Sequence, residues 1–116
     1  MMSWSVDARV PVILAGLSEV GEGDAVLIEG EAGRVEGVRE SFTPVPGAHV
    51  PGCACCVARG PAAVALDRLF QRRARGEVGF FRRVVVVTAT AEGDMEVWSA
   101  LRNDPLASAR FRLVEA

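Results

Sequence analysis

The 116-residue chain contains no lysine: all thirteen of its basic residues are arginines, set against 15 acidic ones for a formal charge of −2. That absence excludes Schiff-base catalysis, a lysine general base and a phosphate-binding loop of the G-x-x-x-x-G-K-[ST] type, whose ammonium reaches the β- and γ-phosphates. Long apolar runs are missing too. No run, Val84–Val87 included, approaches the roughly 20 residues of a membrane-spanning helix. The first eleven residues carry Asp7 and Arg9 where a secretory leader would have its apolar stretch, so the expectation is a cytoplasmic, reducing location with no membrane partner. Half of the residues are apolar, enough to bury a core, and the length is that of one domain, taken as residues 1–116.

Charge is unevenly spread. The stretch from Glu19 to Glu40 is acidic, and the stretch from Arg68 to Arg83 is basic. Arg68, Arg72, Arg73 and Arg75 fall on one expected helix, three of them in its last turn, where they complement the helix dipole. A solvated helix face is preferred over nucleic-acid binding.

Arg9–Ala15 reads as a short buried strand ended by Gly16, with Pro11 placing it at a strand beginning or a sheet edge. Ala25–Glu29 suits either a strand or a helix face. Ser41–Pro51, with three prolines and Gly47, is expected to be an extended loop. Gly60-Pro61 is a helix-start signal, followed by Ala62, Ala65, Leu66, Leu69 and Phe70 at helical spacing and closed by Gly76. Phe80–Thr88 should be a strand whose consecutive valines are buried on both faces, as in a parallel sheet. A second helix is expected over Asp94–Arg102, with Asp94 as N-cap and Val97, Trp98 and Leu101 inward. Asp104-Pro105 starts a turn, and Arg110–Val114 makes a last strand. The alternation predicts an α/β fold: a three-layer domain on a mostly parallel sheet with right-handed crossovers.

All three cysteines lie within Cys53-Ala54-Cys55-Cys56, preceded by Pro51-Gly52. The odd count and short spacings argue against a disulfide framework. Three thiolates with one further ligand suit Zn²⁺, and Cu(I) or Co²⁺ are chemically reasonable competitors. His49, the sole histidine, stands four residues before Cys53 as candidate fourth ligand or as an ordinary loop residue. The dipole of the helix after Gly60-Pro61 would lower the thiol pKa values. The competing reading makes the cysteines small buried hydrophobes.

Four segments resemble the CobW-type metallochaperone GTPases, the group related to UreG and HypB. Arg9-Val10-Pro11-Val12-Ile13-Leu14-Ala15-Gly16 is similar to the family's first strand. Gly52-Cys53-Ala54-Cys55-Cys56 matches its G-C-x-C-C metal motif. Phe81–Thr88 and Asn103–Leu113 resemble its third-strand region and its D-P-x-L-x-x-x-F-x-L approach to the next strand. The resemblance implies a P-loop NTPase-like fold and assigns Cys53, Cys55 and Cys56 as metal ligands. It does not extend to the nucleotide site. An ungapped reading puts Gly21-Glu22-Gly23-Asp24 where the family has G-K-[ST]-[ST], replacing an ammonium and two hydroxyls by two carboxylates that repel phosphate. The alternative deletes the first helix and makes Ala25–Glu29 the second strand. Only Gly16–Gly23 would then join two strands, which would pair antiparallel or sit apart. Val87 and Thr90 occupy the glutamate and glycine positions of the family's E-x-x-G, so no nucleotide cofactor and no GTPase activity are expected.

The reading preferred from the sequence is a non-catalytic zinc or thiophilic-metal protein with a delivery or regulatory role. Its competitors are an interaction or subunit protein, acting through a protein partner or as a homo-oligomer, and a thiol-dependent enzyme with His49 as base.

Overall fold

The computed structural model describes residues 8–30, 37–44 and 59–114. They form an α/β fold on one five-stranded sheet in which every pairing is parallel. The strands are β1 (Val10–Leu14), β2 (Asp24–Glu29), β3 (Arg39–Phe42), β4 (Arg83–Val87) and β5 (Phe111–Leu113), and the helices are α1 (Pro61–Ala74), α2 (Ala91–Asn103) and α3 (Pro105–Arg110). The sheet order is β3-β2-β4-β1-β5. No helix among the described residues is long and apolar enough to cross a membrane.

The valine run does what its composition requires. Val84, Val85 and Val86 are all fully buried, because β4 lies at the sheet's centre, flanked by β2 and β1, and has no solvent face to alternate toward. Pro11 is tolerated inside the sheet rather than at an edge. Pairing with β4 begins only at Val12, so the N–H that proline lacks is not subtracted from that ladder.

Side chains of alternating register divide the sheet's two faces. Val10, Val12, Ala25, Leu27, Val84, Val86 and Phe111 share one core with Leu66 and Leu69 of α1 and Val97 of α2. All three helices therefore pack on this face. The three-layer expectation is met on this side only: Val26, Ile28 and Val85 on the other face are buried outside that core, and no helix covers them among the described residues. Both helical crossovers, β3-α1-β4 and β4-α2-α3-β5, step over one strand in the same direction, consistent with a common right hand.

Three local expectations are corrected, and the strands joined by Gly16–Gly23 take the second of their two expected placements, apart in the sheet. Ser41 and Phe42 belong to the edge strand β3, where Phe42 turns into the core while Arg39 and Ser41 face water; its polarity reads as a loop. The connection after β1 holds only a 3₁₀ turn, Leu17–Glu19, and the strands it joins are parallel but separated by β4. The second helix begins a turn earlier than expected. Thr90 is its N-cap, accepting a hydrogen bond from the Gly93 N–H, and Trp98 lies on the outer face at 37% exposure. Asp104-Pro105 opens the short helix α3, with the Asp104 carboxylate accepting from the Ala107 N–H at 2.9 Å.

Helix α1 ends as its glycine predicts. Gly76 takes φ +72°, and the Gly76 and Glu77 N–H groups donate to the Arg73 and Arg72 carbonyls, a Schellman closure that satisfies two terminal carbonyls. The acidic and basic stretches of the sequence meet in space. Arg83 grips Asp24 with two bonds of 2.9 and 2.8 Å, and Arg72 reaches Glu40 at 3.0 Å. Arg73 stacks over Phe80 at 3.6 Å. Much of the basic helix face is thereby used internally, and Arg68 and Arg75 remain its most solvated members.

Candidate functional site

In a parallel sheet, ligands gather beyond the carboxyl ends of the strands, at the point where connections diverge. Here that point lies between β1 and β4, neighbours whose onward connections run in opposite directions, toward β2 and toward β5. Gly16 follows β1, Thr88 to Thr90 follow β4, and Glu29 ends β2 beside them.

Glu29 is the buried carboxylate of this edge, 8% exposed. It accepts from the Ala89 N–H at 2.8 Å, the Thr90 N–H at 3.0 Å and the Thr90 hydroxyl at 2.6 Å. Burial alone would raise its pKa, yet the Thr90 hydroxyl and the two amides outweigh that and hold it below the ordinary value. The carboxylate faces the positive end of α2, and Gly93 lets it approach: a Cβ there would collide with Oε1. A charge so occupied anchors α2 to β2 and is not available as a general base. Beside it the Thr88 hydroxyl donates to Asp94.

The Gly21–Asp24 segment lies at the opposite edge. Its turn leads into the start of β2, with Gly23 at φ +84° and the Gly21 N–H donating to Asp24 Oδ2 at 2.8 Å. These glycines shape a turn that Arg83 locks, away from the carboxyl ends of the strands. Of the two readings of this region, the one with Ala25–Glu29 as a strand is the observed one.

Cys53, Cys55, Cys56 and His49 lie outside the described residues. Among the described residues, no group of three His, Cys, Asp or Glu side chains is placed to hold a metal ion. The chain on either side of the cysteines is described. It leaves the sheet's carboxyl edge after Phe42 and re-enters at Arg59 and Gly60, ahead of α1. Arg59 clamps Asp104 through two bonds of 2.9 and 2.7 Å and lies 3.4 Å from Asp67, which also pairs with Arg110. Asp104 is held below the ordinary carboxylate value, chiefly by the Arg59 guanidinium. The N-terminus of α1 is already served: Glu96 of α2 accepts from the Ala62 N–H at 3.1 Å and sits where a Gly60 side chain would be. The dipole expected to act on the thiols thus has a carboxylate at its end.

Asp24, Glu29 and Asp104 all have depressed pKa values in the fold. Such groups stabilise fully above their ordinary values of 3.8 for aspartate and 4.5 for glutamate, and that contribution is lost as pH falls through the lowered folded-state values. The urea midpoint should therefore hold between about pH 7 and 5 and drop steeply below about 4.5. A D24N/D104N variant should show a shallower acid limb; an unchanged limb would contradict the assignment.

The Glu29–Thr90–Gly93 constellation was not foreseen in the sequence. Its one local signal is threonine three residues before a glycine, an N-cap spacing; the glutamate lies sixty-one positions before Thr90, beyond any local pattern. Comparison with protein-family models, curated proteins and solved structures yields no match.

Proposed function

We propose that this chain is a non-catalytic transition-metal-binding protein of the cytoplasm, related to the CobW-type metallochaperone GTPases and holding zinc through Cys53, Cys55 and Cys56, with His49 as fourth ligand. The observation that carries the reading is the G-C-x-C-C cluster itself, three thiols in four positions on the connection between β3 and α1. Three thiolates and an imidazole suit the tetrahedral preference of Zn²⁺, and four protein ligands would make a closed site for storage, delivery or regulation rather than hydrolysis. The relationship is supported by the strands that carry the resemblance: β4, β1 and β5 are adjacent and parallel. The absence of nucleotide chemistry is supported by the missing lysine and by the 3₁₀ turn after β1, where a phosphate loop would need a helix N-terminus.

Elemental analysis of anaerobically purified protein tests the reading. Wild type should carry about one zinc or similar ion per chain and C53S/C55S/C56S essentially none; equal metal content in the two would end it. A second reading, an interaction or subunit protein, is favoured by exposed apolar side chains on α2, considered next.

A further inference from the structure

Helix α2 carries an outward stripe that takes no part in the core of the described residues. At 100° per residue, Ala91, Met95, Trp98 and Arg102 fall within a narrow arc of its surface. Met95 is 70% exposed, Trp98 37%, and the Arg102 guanidinium lies 5.3 Å from the Trp98 ring. Trp98 and Met95 are costly residues to leave in water, while the opposite arc, with Gly93, Val97, Ala100 and Leu101, is fully engaged with the core.

We propose that this stripe is a homodimer contact in which α2 packs antiparallel against α2 of a second copy across a two-fold axis. The pattern is self-complementary about the point midway between Met95 and Trp98. A two-fold axis there sets Met95 of each chain on Trp98 of the other, a thioether-on-indole contact, and brings Arg102 to the first turn of the opposing helix, which carries Glu92 and Asp94. The acids at one end of the helix and the arginine at the other thus meet opposite charge in an antiparallel pair and like charge in a parallel one, which selects the orientation. One helix face buries less than a standard interface, so the dimer is weak, with Kd on the order of 100 μM. It stands independently of metal binding.

Sedimentation equilibrium between about 10 μM and 1 mM, in chelator and reductant, tests this on the full chain and on C53S/C55S/C56S. Both should move from monomer mass toward dimer mass as concentration rises. M95E should weaken association at least tenfold and R102E several-fold, with E92R/R102E recovering most of the loss, while far-UV circular dichroism stays unchanged because all three positions are exposed. Monomer mass at every concentration, an M95E protein that associates as tightly as wild type, or failure of the charge swap to restore R102E would overturn the proposal. Dimerisation of both proteins with equal metal content in wild type and C53S/C55S/C56S would end the metal reading and leave the dimer standing.

Discussion

E29A is expected to lower the unfolding free energy by about 3 kcal/mol, measured by urea denaturation at neutral pH. The Glu29 carboxylate takes three hydrogen bonds at the start of α2. Its removal leaves two backbone N–H groups and a hydroxyl to find other partners beside a buried sheet end. A loss of this size is a large share of the roughly 5 to 15 kcal/mol that holds a domain of ordinary stability. G93A should be destabilising by about 2 kcal/mol for the complementary reason, since its methyl group would enter the space of Glu29 Oε1. The two must be strongly non-additive. In the E29A background the clash is gone, and alanine is the better helix former by up to about 1 kcal/mol, so G93A should become neutral or stabilising there. Additive losses would show that Glu29 and Gly93 are not opposed as described.

F111A is expected to cost about 4 kcal/mol and, in a domain of this size, to leave little cooperative unfolding at elevated temperature. Phe111 is 1% exposed and packs edge-to-face on Phe70 of α1 with centroids 6.0 Å apart. It begins the edge strand β5 and pairs with Val10 of β1, so one side chain joins the last strand, the first strand and the central helix. The T-shaped pair contributes beyond the buried area, and F111L should recover about half of the loss. A substitution cost below about 1 kcal/mol would mean that the core does not extend to β5.

The distinction between what the sequence disclosed and what it hid follows from range. Helix α1 was legible at both ends because its signals are local: proline at the first position, apolar residues at three-and-four spacing and a glycine that the closing turn requires. The valine run announced a central strand because burial on both faces leaves its mark in composition. β3 was hidden because an edge strand with one buried side chain in four looks like a polar loop. The start of α2 was displaced because Asp94 and Thr90 are both good caps, and the choice was made by Gly93 and by Glu29, which comes from a different strand. Likewise nothing near Arg59 points to Asp104, forty-five residues away. The chemistry-bearing cysteines are the reverse case. They are the plainest motif in the sequence, and the described fold contributes the ends of the segment that carries them: an edge strand on one side and, on the other, a helix start fixed by Arg59 and Glu96.

The most direct test of the metal-binding account is a Co²⁺ titration of the reduced, metal-free protein followed by absorbance, because cobalt in a tetrahedral thiolate site gives intense charge-transfer and ligand-field bands. The account predicts saturation at one equivalent, bands displaced by stoichiometric Zn²⁺, no such bands in C53S/C55S/C56S, and a weakened, altered ligand-field spectrum in H49A. A wild-type protein that shows no thiolate-to-cobalt band, or one whose bands survive removal of all three cysteines, would contradict it.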